Sequence, residues 1–198
     1  LCAVMHQMVD TENEDIPYES CSNKILAGIT GLVVENSSGD AEAIKMTIEN
    51  ANELNAVGIR TALFWGGSYR IWGPHTGAYS SEGDNAADEI FDCSVRMVRW
   101  LGNTFQALYG DVIDRPMHRA LVDSILNEEQ MRLDNLVSRG ALLGGKIRFD
   151  AAATPTNDIV SGDFALDVDY TTTPAARAIV CRYRYSSSGL SKLTGGEE

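Results

Sequence analysis

Residues Gly140-Ala141-Leu142-Leu143-Gly144-Gly145-Lys146 match the Gly-x-x-x-x-Gly-Lys spacing with which a phosphate-binding loop turns its backbone amides toward a nucleotide. Two features of the neighbourhood argue against that chemistry. Ile147 follows the lysine, where a hydroxyl would be needed to reach a magnesium ion. The local order also reads helix, glycines, strand, whereas cradling a phosphate requires strand, glycines and a helix N-terminus. A helix stop followed by a turn accounts for the same glycines. A nucleotide-binding enzyme using Gly140 to Lys146 is therefore the rival from another functional class, to be tested by ATP affinity and its loss in Lys146→Ala.

Other reactive side chains read as structural. Asp84, Asp88, Glu89 and Asp92 fall in what reads as the first turns of a helix, where carboxylates favour the positive end of the dipole. Asp167 and Asp169 share a strand face opposite the apolar set and read as solvated. His6, His75 and His118 show no ligand spacing, and no serine or cysteine sits in a nucleophile elbow. Cys2, Cys21, Cys93 and Cys181 are far apart with no Cys-x-x-Cys, so reduced, partly buried thiols are expected rather than zinc or a disulfide framework. Trp65, Trp72 and Trp100 could stack on a sugar, but two flank a predicted hairpin and one lies in a predicted helix, which favours core packing. No catalytic residue, cofactor or metal ligand is expected, and the chain reads as a non-enzyme.

The elements that carry these residues follow from periodicity. Leu1 to Val9 is a short apolar segment, followed by an acidic loop with Pro17. Ile29 to Val34 reads as a strand by its β-branched content. Asp40 is expected to cap a helix with Ile44, Ile48, Ala51 and Leu54 on one face, ending near Asn55. Ile59 to Trp65 and Tyr69 to Trp72 flank Gly66-Gly67 as a tight hairpin. Asp84 is expected to open a helix running to Gly110. Pro116 is expected to open another, stopped at Gly140. Three strands should follow, around Ile147 and Phe149, over Phe164 to Tyr170, and over Ala178 to Tyr185. The class is α+β (mixed α/β): a predominantly antiparallel sheet packed against long amphipathic helices, with an extended C-terminal arm.

The 198 residues suffice for one sizeable core or one domain with an extension. A net charge of −12 with scattered basic residues argues against a nucleic-acid partner. No apolar run approaches the length of a membrane span. The chain begins at Leu1 without a signal-peptide pattern, and further sequence is expected before it. Within the last strand, Arg182, Tyr183, Arg184 and Tyr185 alternate in a way that suits a strand added to a neighbour's open sheet edge.

An ordered set of motifs resembles the C-terminal part of contractile tail sheath proteins of bacteriophages and related prophages. It comprises Pro17-Tyr18 through Ser20-Cys21-Ser22-Asn23-Lys24 to Gly28 and Gly31, then Leu54-Asn55-Ala56-Val57-Gly58-Ile59. Next come Trp72-Gly73-Pro74-His75-Thr76, with Pro74 and His75 as departures, and Ile113-Asp114-Arg115-Pro116. Gly140-Ala141-Leu142, Asn157, Ser161-Gly162 and the run from Phe164 to Pro174 complete it.

The resemblance implies a structural protein that stacks in hexameric rings around a tail tube and contracts to drive that tube through a bacterial envelope. Its partners would be neighbouring sheath subunits, the tail tube protein, and the baseplate and tail terminator, with no nucleic acid and no membrane insertion. The protein would reside in the virion after assembly in the host cytoplasm. Under this resemblance, 1–24 belongs to a preceding sheath region, 25–110 and 111–181 are two halves of the sheath domain, and 182–198 is an arm. The arm's inter-subunit residues would be Arg182, Tyr183, Arg184, Tyr185, Leu190 and Leu193. A bacteriocin-like or secretion-type contractile apparatus is the alternative within the same class.

Overall fold

The computed structural model describes residues 1–150, 154, 160 and 162–194. The expectations placed on Asn157, on Ser161 and on 195–198 lie outside them. Among the described residues, four α-helices and three antiparallel strand pairs follow one another: α1 (Cys2–Glu12), β1 (Leu32–Glu35), β2 (Ala41–Ile44), α2 (Ile48–Ala56), β3 (Thr61–Trp65), β4 (Ser68–Trp72), α3 (Asp92–Tyr109), α4 (Arg119–Ser138), β5 (Leu142–Phe149) and β6 (Leu166–Thr172). The α+β class stands. Among the described residues, however, the strands form three separate two-stranded ladders rather than one continuous sheet.

Two apolar clusters organise the body. The larger gathers Met97 and Leu101 of α3, Leu133 and Leu136 of α4, and Leu142 and Ile147 of β5, with Ile16 beneath them. The smaller packs Met5 and Val9 of α1 against Cys21, Leu26 and Ile71. The apolar segment at Leu1 is therefore a helix, because its residues 5 and 9 are four apart and meet the β3–β4 hairpin.

Several element boundaries differ from the sequence reading. Asp40 does not cap a helix. Asn36 Oδ1 accepts the N–H groups of Ser38 (2.9 Å) and Asp40 (3.0 Å), and this Asx turn, with Gly39 at φ +85°, closes the β1–β2 hairpin. Thr47 caps α2 instead, its Oγ1 accepting from the Asn50 N–H at 3.3 Å. Helix α3 opens at Asp92 rather than Asp84. Backbone bonds from Thr76 N–H to Ile90 O (3.1 Å) and from Asp92 N–H to Pro74 O (3.0 Å) hold the preceding residues in an extended bridge. Helix α4 opens three residues after Pro116, capped by His118, whose Nδ1 accepts from the Leu121 N–H at 3.1 Å.

Gly140 behaves as expected. It has φ +78°, its N–H reaches Val137 O, and the Ala141 N–H reaches Leu136 O, which together form a Schellman stop. Gly144 and Gly145 are different: they lie inside β5, not in a turn, with a bulge between Leu142 and Gly144. A Cβ on Gly145 would press on the Leu133 side chain, so this glycine lets α4 approach the strand. The β3–β4 hairpin turns at Gly66-Gly67 with φ +60° and +83°, as two-residue hairpins of that hand require.

Trp65 is half exposed, correcting the expectation that it packs in the core. Trp72 donates its indole N–H to Asn52 Oδ1 at 3.0 Å, and Trp100 packs on the larger core beneath the Arg132 guanidinium.

Candidate assembly surface

The expected strand over Ala178 to Tyr185 has no ladder partner among the described residues of this chain. The segment runs irregularly and ends in a 3-10 stretch, Ser187–Thr194. Ile179, Val180, Tyr183, Tyr185 and Leu193 are between 79% and 92% exposed, and Leu190 is 51% exposed. Arg182 and Arg184 are exposed as well. These large apolar side chains are thus left in water along one continuous segment.

The arm's root is fixed. Thr172 Oγ1 donates to Ser94 Oγ at 2.9 Å, and Thr173 Oγ1 donates to Gly140 O at 2.7 Å, which ties the exit from β6 to the N-terminal turn of α3 and the stop of α4. Pro174 to Arg177 then line one cavity together with Tyr18, Asn52 and Trp72.

Sheet edges are treated unequally. Asn23 to Leu26 run along β4, with Asn23 N–H to Ile71 O at 2.7 Å, Ile71 N–H to Lys24 O at 3.1 Å and Leu26 N–H to Tyr69 O at 2.8 Å. The outer edge of β5 is capped by one side chain from α4: Gln130 Oε1 accepts from the Ile147 N–H and its Nε2 donates to Gly145 O, both at 3.1 Å. The outer edge of β6 pairs with no described strand. Beside it lies an apolar cavity of about 590 Å³ between α3, α4 and β6, lined by Phe105, Tyr109, Leu166, Val168 and Tyr170 among others. On the opposite face, Arg148 of β5 holds both Asp167, at 3.0 Å, and Asp169. That pairing raises the arginine's pKa and agrees with the solvated reading of these two carboxylates.

One cluster escaped the sequence reading. His6, Cys21 and Asp92, from three separate segments, bring a ring nitrogen, a thiol and a carboxylate within 4.8 Å of one another. The Arg60 guanidinium stands where a cation would: it binds Asp92, and its Nη1 lies 3.3 Å from Cys21 Sγ while its Nε donates to Gly73 O at 2.7 Å. Arg96 binds Asp10 and also donates to His6 Nδ1 at 2.8 Å. Arg60 Nη1 stands 3.0 Å from His6 Nε2, which also lies 3.2 Å from Asp92 Oδ2, so a guanidinium faces each ring nitrogen and a carboxylate faces one of them. Burial and the Arg96 charge lower the His6 pKa, while burial pushes the Cys21 and Cys93 thiols up to about 11. The donor set fits a charge-balanced clasp of α1 to α3, not a divalent ion, and unreactive thiols. Only its separate acidic, basic and sulfur residues were visible beforehand, with no spacing to join them.

No family model matches the chain. It is 27% identical over 178 residues to the tail sheath protein of Burkholderia phage BcepMu, covering 89% of this chain and 36% of that protein. It is 25% identical over 163 residues to the major tail sheath protein of Serratia phage KSP20, covering 82% of this chain and 38% of that protein. The chain thus spans well under half the length of these curated relatives. Among solved structures, its fold is similar to a chain of the anti-feeding prophage baseplate (TM-score 0.75, 18% identity, 94% of this chain and 49% of that one). It is also similar to the contracted sheath of the PVC extracellular contractile injection system (TM-score 0.74, 15% identity, 93% and 50%). Sequence and fold therefore converge: this chain is similar to phage tail sheath proteins in sequence and to contractile sheath structures in fold.

Proposed function

We propose that this chain is the inner, assembly-forming part of a structural subunit of a contractile tail sheath, one that polymerises around a tail tube and, on contracting, drives that tube through a bacterial envelope. The observation that carries this reading is the arm after Thr173, which leaves a packed body with its large apolar side chains unburied. In this reading the six residues Arg182, Tyr183, Arg184, Tyr185, Leu190 and Leu193 contact neighbouring subunits. The tail tube, baseplate and tail terminator are the further partners, and the virion tail, assembled in the host cytoplasm, is the location. The boundaries 1–24, 25–110, 111–181 and 182–198 are read as a preceding segment, two halves of one sheath domain, and the arm.

Curated relatives from phages support a virion over a headless injector, although the similar solved folds come from injection systems. A nucleotide-binding role loses its footing, since Gly144 and Gly145 sit within a strand and Lys146 opens no helix. Truncation before Tyr183 is the direct test. The shortened protein should melt within about 2 °C of the full chain and form no tubes by electron microscopy; normal tubes from it would remove the arm's role.

A further inference from the structure

Helix α1 is clasped to the body by one largely buried charge cluster and joined to it through a strained turn. The helix contributes His6 and Asp10, α3 supplies Asp92 and Arg96, and Arg60 reaches in from the residue before β3. With the His6 ring neutral, the charges of Arg60, Arg96, Asp10 and Asp92 cancel. Arg60 binds Asp92 and Arg96 binds Asp10, so both carboxylates are already engaged. One guanidinium stands 3.0 Å from Nε2 and the other 2.8 Å from Nδ1. A neutral imidazole has one acceptor nitrogen to offer them; a protonated ring has none, and both contacts become donor against donor. A proton on His6 also leaves one uncompensated charge in the cluster, although Asp92, 3.2 Å away, attracts it.

Next to the ring lies Cys21, 0% exposed, its Sγ 3.5 Å from Nε2. Cys21 belongs to the smaller apolar cluster with Leu26 and Ile71, which Met5 and Val9, the buried side chains of α1, close. Leu1, Val4 and Met8 of the same helix are each more than half exposed, so few side chains hold it down. After α1 the backbone is strained: Glu14 and Asp15, two consecutive non-glycine residues, have φ +57° and +62°. The chain is anchored at this turn, where Glu14 pairs with Arg139 at 2.7 Å and Ile16 enters the larger core.

We propose that α1 is an acid-released latch: a proton on His6 frees the helix to swing on Glu14-Asp15 and uncovers the apolar surface of Cys21, Leu26 and Ile71. The latch is independent of the arm's role. The left-handed pair is tolerated while the cluster holds α1 in place, and it relaxes once the helix is free. The open form takes up the proton at the ordinary histidine pKa of 6.5, whereas burial and the Arg96 charge make the closed form resist it. Opening is therefore favoured as pH falls below about 6.5. For a group that titrates only in the open form, the open population rises about ten-fold between pH 7.5 and pH 5.5.

Thiol labelling reads this in the full chain, with a dithiodipyridine reagent that reacts in mild acid and peptide mass mapping of each cysteine. Exposed Cys181 reports the reagent's own reactivity, and buried Cys93, not part of the cluster that α1 closes, reports wider unfolding. The ratio of Cys21 to Cys181 labelling should rise about ten-fold from pH 7.5 to pH 5.5 with Cys93 still protected. His6→Gln should remove that pH dependence, whichever level of labelling it sets. A ratio that changes by less than about two-fold, Cys93 labelled in step with Cys21, or an undiminished rise in His6→Gln would each overturn the latch. Hydrogen exchange checks it without a substitution: corrected for intrinsic rate, the amides of Met5 to Asp10 should lose protection over the same pH range while those of α4 keep it. Equal loss in both helices, or none in α1, would also overturn it.

Discussion

At the scale of single residues, His6 shows how burial decides protonation. Its ring lies between guanidiniums, with Arg96 on Nδ1 and Arg60 beside Nε2, while Asp92, Asp10 and Cys21 complete the surroundings. Its folded pKa is below the ordinary value of 6.5, so under acid the unfolded chain takes up a proton that the folded one resists. Stability from this group is complete above about pH 6.5 and is lost as pH falls from there through the depressed folded value. Buried His75, stacked on Tyr79 and hydrogen-bonded to Asn55 O, is depressed by burial in the same direction. His6→Gln should therefore remove part, not all, of the fall in melting temperature between pH 7.5 and pH 5.5. Thermal melts with an unchanged pH slope in the variant would exclude His6 as a contributor.

At the scale of elements, glycines divide by what a Cβ would meet. Gly73 has φ +119°, and a Cβ there would collide with the Asn55 side-chain amide, which is itself buried. Gly73→Ala should cost about 2 kcal/mol or more in chemical denaturation, because strain and overpacking add. Gly140→Ala has open space and should cost only the left-handed conformation, about 1 kcal/mol.

This scale is also where the sequence was most and least legible. The Gly66-Gly67 hairpin and the Gly140 stop were readable because both depend on positive φ at glycines. The start of α2 was not, since Asp40 and Thr47 are both competent caps and the Asn36 side chain, closing a hairpin, decided between them. The start of α3 was misplaced because a nonlocal bridge from Pro74 to Thr76 claims the backbone before Asp92. The His6 clasp was invisible for the same reason, joining residues up to 90 positions apart.

At the scale of the whole molecule, charge is unevenly distributed: a basic arm leaves an acidic body, as the proposed association of copies through that arm requires. Assembly through that arm should weaken as salt rises from 0.05 M to 0.5 M, because exposed pairs are screened over about a Debye length. Light scattering that rises with salt instead would assign assembly to apolar burial alone.

Gln130 has a consequence at this largest scale. Its own amide occupies outer backbone groups of β5, those of Gly145 and Ile147. The amide does for β5 what a further strand would do, so the two margins of this hairpin differ in kind: one has its outward backbone groups satisfied within the chain, and the other, along β6, pairs with no described strand.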